Sequence, residues 1–282
     1  MTVYEIITEQ IVKKLEEGEI PWHRPWSGGE PPKNLVSKRP YSGINVWLLA
    51  STHYASPYWV SYKQAQDLGG NVRAGEKSTM VVFWKQLEVE DKATGEKDTI
   101  PMLRYYRIFN VSQCDGLNDK VPQHESRQDF QPISECERIV DGMPNKPAVN
   151  TGEPKAYYHT RLDYVNMPAK EVFDNEEGFY SVLFHELTHS TGHESRLKRK
   201  TVAEATSFGS ANYSREELVA EMGAAYLCGV AGIVNATIEN SAAYIQGWLK
   251  HIKNDPKAIV LAAAQAQRAA DYILNTHSHT ES

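Results

Sequence analysis

The chain has 282 residues, 41% of them apolar and 23% charged, with a formal net charge of −6. That is enough for one large or two ordinary globular domains, and no apolar run approaches a bilayer span, which argues against a membrane protein. Cys114, Cys136 and Cys228 are scattered and odd in number, and Met1-Thr2-Val3-Tyr4-Glu5 lacks the basic start and apolar core of a signal peptide, so a reducing cytoplasm without disulfides or a cysteine metal site fits best.

Thr2 and Glu5 form a capping box, Val3, Ile7, Ile11 and Leu15 follow helical spacing, and Gly18 ends this first helix. A Pro-, Trp- and Gly-rich segment runs from Pro21 to Pro32. Short helices are expected near residues 43–51 and 61–68, before Gly69-Gly70-Asn71 turns the chain. Thr79 to Trp84 is β-branched and aromatic, hence a strand. Lys92 to Glu96 reads as a hairpin tip, with the return strand reaching about Val111. From Ser112 to Pro132 periodicity is lost, as in an interdomain linker.

The second half opens with a helix near residues 134–141 and a strand near Asp163–Met167, ended by Pro168. Asn175 caps the next helix and Gly192 follows it at the C′ position. Another helix starts near Ser214. Two Ala-rich helices close the chain, separated at Asn254-Asp255-Pro256, where Asp255 caps and Pro256 opens the last one. The class is therefore α+β: an α+β domain over residues 1–115, a linker over 116–132, and a mainly helical domain over 133–282.

His185-Glu186-Leu187-Thr188-His189 is the most informative stretch. Residues four apart share a helix face, so His185 and His189 can present two imidazoles to one metal ion. Glu186, a quarter turn round, is placed to take a proton from water at that metal. The ordinary alternative is a helix whose histidines merely cap or fill a core. His277 and His279, in the tail, are weaker metal candidates than this helical pair.

Catalytic zinc usually keeps three protein ligands and one open position. Glu217-Leu-Val-Ala-Glu221 resembles the glutamate helix of gluzincin metallopeptidases, which implies Glu217 as third ligand and Glu221 as the acid orienting a histidine. A local reading competes: Ser214 and Glu217 also form a capping box, which would leave Glu221 for the metal. The first register is favoured because it gives both carboxylates a role. Gly223, Ala224 and Ala225 would let this helix pack closely on the histidine helix. Tyr213, His193, Arg196, Tyr157 and Tyr158 are candidate oxyanion donors. The strand at 163–167 stands where such enzymes place an edge strand that pairs with extended peptide. Zinc is the expected metal, with manganese the other divalent ion suited to a His/His/Glu set.

The net negative charge hides an asymmetry. Between Trp22 and Leu87 lie eight basic residues, three acids and five of the six tryptophans, a local charge of +5. Interleaved aromatics and cations suit sequence-tolerant single-strand binding, in which rings stack on bases and cations track phosphates. Trp22, Arg24 and Trp26, then Lys38, Arg39 and Tyr41, are the densest clusters. Trp59 and Lys63, with Arg73 and Lys77 on the following turn, could complete a groove. Tryptophans more often fill a core, and Trp47 and Trp84 are expected to do so.

Taken together, Ile20-Pro-Trp22, Pro25-Trp26, Asn34, Tyr41-Ser-Gly-Ile-Asn45, Trp59, Gly69-Gly-Asn-Val-Arg-Ala-Gly-Glu-Lys77 and Phe109-Asn110-Val-Ser-Gln113 in the first half resemble the ArdC-type antirestriction proteins. In the second half the resemblance runs through Asp163, Met167-Pro168, His185 to His189, Thr191-Gly-His193, Arg196-Leu197 and Glu216 to Glu221. It implies a single-stranded-DNA-binding domain, with Asn45 among its site residues, followed by a zincin-like metallopeptidase domain. It also implies protection of incoming plasmid DNA from host restriction during conjugation, with a protein of the host restriction system as a candidate substrate. Two other readings stay open: a non-enzymatic strand-binding protein with a structural metal, and a plain cytoplasmic peptidase.

Overall fold

The structure, a computed structural model, describes residues 1–22, 30–90, 97–122, 131–203, 211–234 and 241–276. Helix α1 (Val3–Glu16) is closed by the expected capping box. Glu5 N donates to Thr2 Oγ1 at 3.3 Å and Thr2 N to Glu5 Oε2 at 2.6 Å. Its apolar stripe, Ile7, Ile11 and Leu15, is buried, and Gly18 at φ 81° turns the chain away.

The N-terminal sheet has the order β1 (Lys33–Asn34), β2 (Tyr58–Val60), β5 (Lys97–Asn110), β4 (Thr79–Glu90). Its first pair is parallel and the rest antiparallel. Helices α2 (Ile44–Ala50) and α3 (Tyr62–Asp67) fill its connections, and β3 (Asn71–Val72) pairs separately with β6 (Cys114–Asp115). The polar joint therefore begins later than Ser112. Ser112 N donates to Asn110 Oδ1 at 3.0 Å and Asn110 N to Gln113 Oε1 at 2.8 Å, so side chains order a segment that has no hydrophobic period. Leu117, beyond it, is buried.

Strands β4 and β5 form a long ribbon in unbroken register from Thr79↔Ile108 to Glu90↔Lys97, well past the expected end of the strand at Trp84. Directly paired residues share a face. At the base both faces are covered: Val82 and Leu103 join the main core, while Val81 and Ile108 pack with Tyr41, Leu49 and Trp59. Farther out the cover ends. Trp84, expected in the core, is 48% exposed and stands edge-to-face with Tyr4, whereas Trp47 is buried as expected.

In the second half, β7 (Ala148–Thr151), β9 (Tyr164–Met167) and β8 (Tyr157–His159) form a sheet in that order. The strand expected at an edge is thus the central one, flanked by β7 in parallel and β8 antiparallel, and cannot pair with a further chain. Asn166 on β9 is spent inside the structure, donating to the carbonyls of Lys155 and Glu153. Helices α4 (Pro132–Gly142), α5 (Glu176–Ser190), α6 (Lys200–Ala203), α7 (Ala211–Ala231), α8 (Ser241–Asn254) and α9 (Ala258–Ile273) complete the α+β fold. α7 packs on α5 and α9. Because it already runs from Ala211, Ser214 lies inside the helix and cannot cap it, which overturns the capping-box reading of Glu217.

One apolar core runs through both halves, joining Ile7, Trp22 and Trp47 to Phe184, Met222 and Ile252. α1 packs on α8 and α9, and Thr8 Oγ1 donates to Pro256 O at 2.9 Å. Gly43 N donates to Gln267 Oε1 at 3.2 Å, tying the start of α2 to α9. Among the described residues no helix is long and apolar enough to cross a membrane.

Candidate metal centre and strand-binding surface

α5 starts at Asn175, whose side chain accepts from Gly178 N at 2.8 Å, and carries His185 and His189 one turn apart. α7 presents Glu217 and Glu221 toward them. The two Nε2 atoms lie 3.1 Å apart, Glu217 Oε1 is 3.4 Å from His189 Nε2, and Glu217 Oε2 is 3.6 Å from His185 Nε2. Ligand atoms about 2.0–2.1 Å from a tetrahedral ion stand about 3.3 Å from one another, and the Nε2–Nε2 separation and each imidazole's distance to its nearer Glu217 oxygen are of that size. Among the described residues this is the group whose donor atoms converge for a metal.

The outer nitrogens face carboxylates as well. Glu221 Oε1 is 3.4 Å from His185 Nδ1, and Glu216 Oε1 is 3.4 Å from His189 Nδ1. Only the second contact is a hydrogen bond, and His185 Nδ1 makes none among the described residues; with the proton on Nδ1 of each ring, both Nε2 atoms are bare lone pairs. Buried lone pairs at that spacing, beside a third acceptor, call for a shared cation. The donor set fits a divalent metal. Burial pulls both imidazoles toward neutrality, but the surrounding carboxylates outweigh it and push their pKa values up. Conversely, burial would raise Glu216, yet His189 and Arg199 hold it down to about 2. Glu217 is held low in the same way by the two histidines. Glu186 is buried on α5 beside His185.

The candidate oxyanion donors His193, Arg196, Tyr157 and Tyr158 each make side-chain contacts within the structure. Tyr158 Oη donates to Asp163 Oδ1 at 2.8 Å, and Arg196 grips the same carboxylate with Nη1 at 2.8 Å and Nη2 at 3.0 Å. His193 Nδ1 lies 2.8 Å from Ser195 Oγ, and Tyr157 Oη lies 3.0 Å from Tyr164 Oη. Tyr213 sits four residues before Glu217 and so shares its face of α7.

The expected strand-binding residues divide sharply. Trp22, Tyr41 and Trp59 are buried, Trp22 edge-on to Trp248 and Trp59 to Tyr54, so none offers a ring face to a base. Asn45 is structural too: Nδ2 donates to Val82 O at 2.8 Å and Oδ1 accepts from Val82 N at 2.7 Å, strapping α2 to β4. Lys38, Arg39, Lys63, Arg73 and Lys77 are exposed. Arg73 already bonds Glu76 Oε1 and Ser112 O, and Lys38 lies over the Tyr58 ring. Arg24 and Trp26, like His277 and His279, lie outside the described residues.

Four exposed aromatics cluster on the ribbon, while Tyr62 on α3 and Tyr54 are exposed elsewhere in the same half. Phe83 (43%) and Tyr106 (40%) touch on one face with ring centroids 5.7 Å apart. Trp84 (48%) and Tyr105 (46%) occupy the other. Lys85, Arg104 and Arg107 are exposed among them, and residues 79–86 and 101–110 contain no acid. The sequence reading missed this surface because its charge window closed at Leu87, before the return strand. It also missed Glu216 and Arg199; the adjacency of Glu216 to Glu217 was the available signal for the first, and no spacing rule marks the second.

Residues 1–109 match the family described as the N-terminal domain of anti-restriction factor ArdC, and residues 135–265 match the zincin-like metallopeptidase family. The chain is similar to the crystal structure of antirestriction ArdC protein from the R388 plasmid. In its metal-free form the TM-score is 0.80 at 35% identity, covering 98% of this chain and all of that one. In its Mn(II)-bound form the TM-score is 0.78 at 34% identity, covering both chains fully. Among curated proteins it is 33% identical, over 96% of its length, to a DNA primase TraC of Escherichia coli, of which it spans only 20%. It is 32% identical to the uncharacterized protein y4eC of Sinorhizobium fredii, covering 96% of this chain and 91% of that protein.

Proposed function

Because the chain belongs to the family of ArdC antirestriction proteins, we propose that it protects incoming DNA of a mobile element from host restriction, binding single-stranded DNA and carrying a peptidase site. The observation that carries the peptidase reading is the convergence of His185, His189 and Glu217 beside a buried Glu186. A divalent metal held by those three side chains, zinc or manganese, would supply the positive charge that acidifies water and polarises a carbonyl.

The chain's own residues do the rest. Glu186 takes the proton of the attacking water and passes it to the leaving amine. Glu216 fixes the His189 imidazole with Nε2 inward, and the Glu221 carboxylate stands beside His185 Nδ1. Tyr213, on the Glu217 face of α7, is one candidate donor to the developing oxyanion. Since β9 is central, an extended peptide would pair with the free edge of β8, which packs on α5. A closed structural metal site has no use for a general base, and Glu186 therefore favours the peptidase over the structural-metal reading.

The ribbon carries the DNA reading. Four exposed rings on two faces, interleaved with three cations and no acid, suit stacking with phosphate tracking. The strand would arrive in the cytoplasm, and the peptide substrate would be a protein of the host restriction system. The test has two arms: metal-dependent cleavage of a denatured-protein panel with and without single-stranded DNA, and oligonucleotide binding against salt. Cleavage lost on chelation, with binding to single strands that weakens log-linearly with salt, supports the reading. Absence of both at low salt contradicts it.

A further inference from the structure

Arg199 follows α5 on the loop into α6, and its side chain is only 6% exposed. A guanidinium has five donors in a fixed fork. Here Nε donates to Glu216 Oε2 at 3.2 Å and Nη2 to Glu216 Oε1 at 2.6 Å. Nη2 also reaches Thr188 O at 2.8 Å and His189 O at 3.4 Å, while Nη1 donates to Thr191 Oγ1. The carbonyls belong to the last turn of α5, where they also accept from Thr191 N and Gly192 N, and Glu216 belongs to α7. One cation thus ties the helix bearing both histidines to the helix bearing Glu217. The clamped carboxylate is the one that faces His189 Nδ1.

We infer that Arg199 and Glu216 are positioning residues for the metal centre: Arg199 clamps α5 to α7, and Glu216 sets the ring orientation and tautomer of His189. The inference rests on reading His185, His189 and Glu217 as metal ligands. A second ion pair, Arg196 with Asp163, also reaches the end of α5 through Ser190 O, so anchoring the helix does not by itself require Arg199. What Arg199 adds is the bond to a carboxylate that touches a ligand.

The test is titration of the full-length metal-free chain with Co(II), following visible absorption, with zinc competition for affinity and thermal unfolding of each metal-free protein. The key variant is the double substitution Arg199→Met/Glu216→Leu, because buried ion pairs replaced by apolar groups of similar volume usually leave a fold intact. Expected is metal-free unfolding close to wild type with Co(II) affinity about 10- to 100-fold weaker and a shifted absorption band. Glu216→Gln, which keeps an acceptor for Nδ1, should recover part of that loss. If the double variant fails to fold, Arg199→Lys keeps the charge without the fork and should show the weaker affinity and shifted band. Wild-type affinity and spectrum in a folded double variant, or in Arg199→Lys, would overturn the inference. A wild-type chain that binds neither Co(II) nor zinc would overturn the metal-centre reading beneath it.

Discussion

Gly223 of α7 faces Thr188 of α5 so closely that a Cβ on Gly223 would stand 2.5 Å from Thr188 Cγ2 and 2.8 Å from its Oγ1. Thr188 lies within the histidine pentad and Gly223 two residues beyond Glu221, so this contact sets how near the two ligand-bearing helices come. Gly223→Ala should cost about 1–3 kcal/mol of stability by overpacking. It should also weaken metal binding. Adding Thr188→Ala should restore part of both, read by thermal unfolding and zinc competition. Loss of metal affinity that Thr188→Ala does not touch would argue against this contact as its cause.

The roles of the two rival carboxylates separate by magnitude. On the proposed assignment Glu217→Ala removes a metal ligand and should abolish tight metal binding. Glu221→Ala removes the carboxylate beside His185 Nδ1 and should weaken binding about 10- to 100-fold. Zinc competition on both variants decides it, and a larger loss for Glu221 reverses the assignment.

On the ribbon, Trp84→Ala and Tyr105→Ala should each weaken single-strand binding by about 1–3 kcal/mol, roughly 5- to 150-fold. Arg104→Ala should lower the salt slope by about 0.7. Trp59→Ala, at a core position, should instead cost about 3–5 kcal/mol of stability. Fluorescence anisotropy at several salt concentrations checks the first two claims and denaturant unfolding the third. Ribbon variants that bind like wild type would move the DNA site elsewhere.

Acid stability should report on Asp163. Burial alone would raise its carboxyl, but Arg196 and Tyr158 outweigh burial and hold it below the ordinary 3.8. A depressed carboxylate adds stability above its unfolded pKa and loses it as pH falls through the folded value. Asp163→Asn should therefore lower the unfolding temperature at neutral pH and descend less steeply below about pH 4 than wild type. Parallel curves for the two proteins would exclude the contribution.

Local chemistry was legible in the sequence and spatial context was not. The Thr2–Glu5 box, the Asn175 cap and the histidine pair depend on residues within four positions, and each appears where spacing puts it. Ser214 looked like a cap by the same kind of rule, yet α7 begins a turn earlier, since a cap motif inside a packed helix is merely a serine. Trp22 and Trp59 stand among basic residues and are still core, while Trp84 stands in a β-branched run and is exposed. A tryptophan's neighbours in sequence do not say how far along a ribbon the covering helices reach. Strand order was equally hidden: nothing in residues 163–167 tells a central strand from an edge.

The most direct test is cleavage of a peptide library by wild type and Glu186→Gln loaded to equal metal content. Glu186 is proposed to move the proton and not to hold the metal, so Glu186→Gln should bind metal like wild type and cleave nothing. Equal cleavage by both proteins, or none by a fully loaded wild type, would contradict the account.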